Sequence, residues 1–251
     1  MIREELEPVL RLEQLDKRFG GVHAVVDISL SVGIERIVGV IGPNGSGKST
    51  LCNLISCVAQ PTSGKVFLKG SEITGMRPDK VFRLGLSRTF QNTRLFPRLT
   101  VAENMLIAAR GRRLESLEST EQLERMDLAH LHDVPAGGLS YGDQKLLELA
   151  MSLIGKPAIA LLDEPLAGVH ESVVERIRNV VEVESKNTVF LIVEHNVSFM
   201  MQICERIIVM NQGEVLADGS PSEIRSDQTV IKAYLGSQSQ AEASGSDTRE
   251  K

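Results

Sequence analysis

The sequence predicts an α/β fold, and three observations predict it. Continuous apolar runs recur at 37–41, 158–162 and 188–193, as parallel strands buried on both faces require. Between the last two, Val173, Val174, Ile177, Val180 and Val181 fall on one face of a helix, which makes a strand–helix–strand unit. The stretch from about 92 to 156 carries almost no strand signal and reads as a helical lobe inserted into the α/β core.

The elements follow in order. Residues 22–32 alternate loosely, as an early strand would, and 37–41 form a compact β-branched run that ends at glycine. Residues 65–69 follow the turn Pro61-Thr62-Ser63-Gly64 and read as a hairpin or edge strand. In the lobe, 103–132 is rich in Leu, Glu, Ala and Arg. Its last helix, about 143–154, sets Leu146, Leu147, Ala150, Leu153 and Ile154 on one face. Asn211-Gln212-Gly213 reads as a hairpin turn between 207–210 and 214–217. From Gly236 the chain is polar and rich in small residues, so 236–251 is expected to be a disordered tail.

Composition excludes several classes. Hydrophobic content of 42% and charged content of 24% are ordinary for a globular protein. With no Trp, 4% aromatics and a net charge of -5, neither a base-stacking surface nor a phosphate-backbone binder is expected, hence no nucleic-acid partner. Cys52, Cys57 and Cys204 show no CxxC pairing and read as reduced, buried thiols of a cytosolic protein. The first ten residues lack the apolar core of a signal peptide, and no apolar run approaches the ~18 residues needed to span a bilayer. Any membrane role is therefore expected to come through a partner.

Gly42, Pro43, Asn44, Gly45, Ser46, Gly47, Lys48 and Ser49 match G-x-x-x-x-G-K-[ST]. A strand pattern leads in and a helical pattern (Leu51, Leu54, Ile55) leads out, which separates the match from a chance glycine-rich turn. Glycines let backbone N–H groups turn inward around phosphates, and the following helix adds its positive end. Lys48 would reach the β- and γ-phosphates, and the Ser49 hydroxyl would ligate Mg²⁺. A second site fits the same chemistry. The apolar run ends in Asp163 and Glu164, the first placed to hold Mg²⁺ through water and the second to polarise an attacking water. A strand ending in two solvated acids is common by itself; the phosphate loop upstream is what gives this pair its meaning.

A phosphate loop alone does not name a function. Leu139-Ser140-Tyr141-Gly142-Asp143-Gln144 resembles the LSGGQ-type signature of ABC ATPases, with Tyr141 in place of glycine and Asp143 in place of glutamine. Alone, L-S-x-G is a plain helix cap. The rest of the ordered pattern is similar over about 9–235. Phe19 sits where an adenine-stacking aromatic belongs. Gln91 in Thr89-Phe90-Gln91-Asn92 occupies the Q-loop, and His195 in Val193-Glu194-His195-Asn196 matches the switch histidine. Phe19-Gly20-Gly21, the run from Arg88 to Phe96, the signature, and Ala233-Tyr234-Leu235-Gly236 look like the ATPases of branched-chain amino-acid importers. Lipopolysaccharide-export and urea-import ATPases share much of this. Two departures stand out: the D-loop reads Ala167-Gly168-Val169-His170-Glu171, where Asp or Asn followed by Pro is usual, and the stretch 110–135 is short.

The resemblance implies a P-loop (RecA-like) ABC ATPase core with an N-terminal antiparallel β portion and an inserted helical subdomain. It implies one domain over 1–235, with core about 1–91 and 157–235 and lobe about 92–156. Two subunits, identical or paralogous, would sandwich ATP and Mg²⁺. Phe19, residues 42–49 and Thr50 would hold each nucleotide, and Ser49, Gln91 and Asp163 the metal. Leu139, Ser140, Tyr141, Gly142 and Asp143 of the facing subunit would close the site. Glu164 would activate water, with Gln91 and His195 orienting it. The implied function is an ATP-hydrolysing subunit, peripheral on the cytoplasmic face of the inner or cell membrane, that powers import of branched-chain amino acids or similar solutes. Permease subunits, received at 93–96, and an extracytoplasmic solute-binding protein would complete the complex. Urea import and lipopolysaccharide export are the alternatives within transport. A soluble ABC protein acting on DNA or the ribosome usually has two nucleotide domains or a long coiled-coil insertion, and this sequence has neither. A subunit that binds ATP without hydrolysing it is opposed by Glu164 and His195, with His170 the one hint in its favour.

Overall fold

The structure, a computed structural model, describes residues 7–91, 93–112 and 116–233. Asn92, Tyr234, Leu235, Gly236 and the expected tail 236–251 lie outside the described residues. The chain opens with β1 (Leu10–Phe19), β2 (Val22–Val32), β3 (Ile37–Ile41), α1 (Lys48–Ile55), β4 (Ser63–Leu68) and β5 (Ser71–Glu72). Next come α2 (Pro78–Leu84) and β6 (Leu86–Arg88), then the lobe helices α3 (Val101–Gly111), α4 (Ser116–Arg125) and α5 (Tyr141–Leu153). The chain returns through β7 (Ile159–Asp163), α6 (Glu171–Glu184), β8 (Val189–Val193) and α7 (Val197–Ile203). It ends with β9 (Arg206–Asn211), β10 (Glu214–Gly219) and α8 (Pro221–Ser226).

Two sheets result. The antiparallel one has order β2-β1-β4-β5, and the larger one has order β10-β9-β3-β8-β7-β6. In the larger sheet only the edge pair β10–β9 is antiparallel. Its strands alternate between two cores, as a period of two dictates. Ala160, Leu162, Phe190 and Ile192 face a cluster shared with Met105, Leu146, Leu153 and Ile177, so lobe and sheet have one core in common. Ile159, Leu161, Val189 and Leu191 face the other way, onto α1 residues Leu51 and Leu54 and the antiparallel sheet. The site-bearing ends of β3, β7 and β8 are thereby clamped from both sides.

Three of the differences from expectation have a clear physical reason. β1 is a full strand with no clean alternation in its sequence, because its buried residues are Leu10, Leu12 and Leu15 and the register slips between the last two. Gln14 there has φ 46, the mark of a bulge that turns the apolar period from two to three. β4 begins at Ser63 and lies inside its sheet, since β1 covers one side and the two-residue β5 the other. α5 begins at Tyr141 because Ser140 caps it. Among the described residues all three cysteines are free and buried, and no helix is long and apolar enough to cross a membrane.

Candidate functional site

The loop between β3 and α1 is shaped by a close approach. Gly47, the residue before α1, has φ 102, and a Cβ there would stand 2.3 Å from the Ala24 carbonyl oxygen of β2. Only glycine lets the loop lie down and leaves the first N–H groups of α1 facing the space above it. Lys48 is buried in that loop, and its Nζ donates to Gly42 O at 2.8 Å and Pro43 O at 2.9 Å. Burial pulls its pKa down, and the nearby Glu164 and Asp163 pull it back up. Asn44, Gly45 and Ser49 are exposed and Thr50 is half-buried. Phe19, at the end of β1, is 53% exposed, with Lys17 Nζ 4.9 Å above its ring. The ring is thus exposed at a strand tip and is not part of the core.

The two acids stand where β7 ends. Asp163 is its last residue and is buried; Oδ2 accepts from Arg88 Nη2 at 2.7 Å, and Arg88 Nη1 donates to Asn53 Oδ1 and Ser56 Oγ, each at 2.8 Å. Glu164 follows with φ 50, a left-handed conformation that costs a non-glycine residue about 1–3 kcal/mol and clusters at functional sites. Its N–H donates to Val193 O at 2.8 Å, tying it to the end of β8. Its carboxylate accepts from Gln91 Nε2 at 2.9 Å through Oε2 and bonds His195 Nε2 at 2.7 Å through Oε1. Three loops that are far apart in sequence thus meet on one carboxylate, next to a buried lysine.

The candidate metal set of Ser49, Gln91 and Asp163 offers a hydroxyl, an amide oxygen and a carboxylate, the hard oxygen donors Mg²⁺ takes. Arg88 engages Oδ2 of Asp163, and Gln91 spends its amide nitrogen on Glu164; Oδ1 and the Gln91 amide oxygen have no protein hydrogen bond among the described residues. These residues fit a divalent cation that keeps most of its waters.

The signature residues make no hydrogen bond to residues 42–49 or to Glu164 among the described residues. Ser140 caps α5: its Oγ accepts from Asp143 N at 3.2 Å and donates to Asp143 Oδ2 at 2.6 Å. Arg176 Nη1 reaches Asp143 Oδ1 at 3.3 Å. Gly142 packs against α6 so closely that a Cβ would stand 2.6 Å from Val173 Cγ2. Leu139 is buried in the lobe's core and anchors the motif from behind, leaving Ser140 and Tyr141 as its exposed face. In the D-loop, His170 serves its own helix, since its Nδ1 accepts from Ser172 N at 3.3 Å and caps α6.

Sequence reasoning missed two residues that hold this site together. Arg88 neutralises Asp163 from a strand two motifs away. Glu194 is buried, accepting from Leu166 N at 2.7 Å through Oε1 and from His195 N at 2.8 Å through Oε2, so it staples the residue that leads into the D-loop to the switch loop. The available signal was a charge directly after the apolar run of β8.

Lys48→Ala removes the one buried cation of the loop. A charge-assisted contact is worth ~1.5–3 kcal/mol, so nucleotide affinity should fall by about tenfold or more in a fluorescent-nucleotide titration. An unchanged affinity would remove Lys48 from phosphate binding.

Comparison with known proteins agrees with the fold. A family model described as ABC transporter matches residues 25–167, and one described as branched-chain amino acid ATP-binding cassette transporter matches 214–239. The chain is 38% identical over 250 residues to the high-affinity branched-chain amino acid transport ATP-binding protein BraF of Pseudomonas aeruginosa, covering 91% of this chain and 98% of BraF. It is 36% identical over 256 residues to LivG of Escherichia coli, a protein of the same description, covering 92% and 98%. Among solved structures, a nucleotide-free ATP-binding cassette from an ABC transporter superposes with TM-score 0.81 at 32% identity, covering 90% of this chain and 98% of that one. The ADP conformation of an ATP-binding cassette gives TM-score 0.81 at 33% identity, covering 91% and 99%.

Proposed function

The chain belongs to the ABC transporter family as an ATP-binding and ATP-hydrolysing subunit, and from that premise we propose that it powers the import of branched-chain amino acids or similar small solutes. The observation that carries the hydrolytic part is the Glu164 carboxylate, gripped by Gln91 and His195 beside Lys48. The import part rests on the likeness to BraF and LivG and on the match over 214–239.

ATP would lay its phosphates on residues 42–49, with Lys48 supplying charge, the Ser49–Thr50 end of the loop supplying donors, and Phe19 offering the adenine a face worth ~1–3 kcal/mol. Ser49, Gln91 and Asp163 would hold Mg²⁺, which when bound neutralises phosphate charge. Glu164 takes the proton of the attacking water on a carboxylate oxygen, while Gln91 and His195, one on each oxygen, fix the direction of the carboxylate. Ser140, Tyr141, Gly142 and Asp143 of a facing subunit, a second copy or a paralogue, close the nucleotide from the other side. Permease subunits and an extracytoplasmic solute-binding protein complete the complex, with this chain peripheral on the cytoplasmic face. Of the two apolar residues after the Q-loop, Leu95 packs against the core and Phe96 is 47% exposed, so Phe96 carries the docking contact.

Membrane vesicles holding the chain with its cognate permeases and binding protein should take up leucine, isoleucine or valine only with ATP. Phe96→Asp should still bind nucleotide in isolation yet fail to co-purify with the permeases. Uptake of urea in place of leucine would select the urea-import alternative. An assembled complex with no ATP-dependent uptake would end the import reading.

A further inference from the structure

α5 buries two charges on its inner side: Lys145, 4% exposed, and Glu148, 7% exposed. One turn apart, they grip the backbone of the Q-loop. Lys145 Nζ donates to Gln91 O at 2.8 Å, and Glu148 Oε1 accepts from Phe90 N and from Arg94 N, each at 3.3 Å. The Arg94 guanidinium lies 3.7 Å from the centre of the Phe90 ring and closes the same loop from outside.

Stability does not account for the pair. Both charged groups are buried on the inner side of α5, and taking charges out of water carries a desolvation cost that their attraction can fail to offset. Well-packed apolar residues in such places are often as stable or more so. Position is what the charges provide. The backbone of Gln91 is held by α5, and the Gln91 side chain holds Glu164 at 2.9 Å. α5 begins at the signature serine, so two hydrogen-bonded steps connect the signature helix to the acid that meets water.

We propose that Lys145 and Glu148 are positioning residues: they seat Gln91, and through it Glu164, on the signature helix, so that hydrolysis in one subunit depends on how its own α5 is set by the facing one. The inference rests on the roles proposed above for Gln91 and Glu164.

The test uses the full chain and measures steady-state ATP hydrolysis, affinity for a fluorescent ATP analogue and thermal melting. The variants are Glu148→Ala, Glu148→Gln and Lys145→Met, with Glu164→Gln in parallel. A misplacement of about 1 Å can cost about 100-fold in rate, so Glu148→Ala should lower kcat about tenfold or more while KM and nucleotide affinity change less than about threefold. Glu148→Gln keeps an acceptor oxygen for the two N–H groups and should recover most of kcat. Lys145→Met should lower kcat without lowering affinity, which decides the matter should Glu148→Ala fail to fold. If Glu164→Gln is inactive while the folded Glu148 and Lys145 variants turn over normally, or lose affinity and kcat together, the positioning role is wrong. If Glu164→Gln itself keeps its turnover, the reading of the site falls and this inference with it.

Discussion

Glu164→Gln is expected to stop steady-state ATP hydrolysis while ATP binding persists. The substitution keeps the shape of the side chain but removes the group that accepts the water's proton, and general-base catalysis contributes about 100- to 10,000-fold. The geometry adds a second loss. The carboxylate takes one hydrogen bond on each oxygen, from Gln91 Nε2 and His195 Nε2. An amide has one acceptor oxygen, so it cannot take both bonds as the carboxylate does, and His195 keeps its contact with the N–H₂ group only as the tautomer whose Nε2 accepts. Lys48 and the loop around it are untouched, so affinity for a fluorescent nucleotide should stay near the parent value. Bound but unhydrolysed ATP should then hold two chains together, seen as an ATP-dependent dimer on gel filtration. Near-normal phosphate release would take the base role from Glu164.

Ser140→Arg and Glu164→Gln chains, each inactive alone, are expected to recover activity when mixed. Glu164, Lys48 and Asp163 belong to one chain's half-site, whereas the signature face around Ser140 makes no hydrogen bond to them among the described residues. Arginine at 140 places a bulky cation at the positive end of α5, which both obstructs closure and opposes the helix dipole. In a mixed dimer, the Ser140→Arg chain supplies intact acids and its partner supplies an intact signature. Random pairing of two-fold dimers makes half of them mixed, each with one good site, so roughly a quarter of the parent rate is expected if sites act singly. The mixing also separates the two readings of Ser140. Losing the cap costs the helix only about 1 kcal/mol, so if Ser140 does nothing but cap α5 the Ser140→Arg chain keeps most of its activity on its own. Mixed dimers shown to form, yet inactive, would mean that both sites must fire together.

Much of the site was legible because its signals are local. The match at 42–49 is one loop, and Asp163 and Glu164 are adjacent. β7 and β8 announce themselves as continuous apolar runs because both faces of each are covered. β1 escaped because its alternation breaks at the bulge around Gln14. Leu139 and Leu95 were legible as apolar but not as to which way they face, since that depends on what the lobe packs against.

By itself the sequence determined the chemistry present: a phosphate-binding loop, a pair of acids at a strand end, a capped signature helix, and their order along an α/β chain. The tertiary structure alone decided which groups meet. Arg88 reaches Asp163 across 75 residues, Gln91 reaches Glu164 across 73, and Lys145 reaches the Gln91 carbonyl across 54. His170, a departure from the family's usual D-loop, acquires a use only once α6 is seen to start beside it. The reason is physical. Periodicity and motif spacing report on neighbours within a few residues, whereas these partners are set by the strand order β3-β8-β7-β6 and by the helix laid over it, which no local pattern encodes.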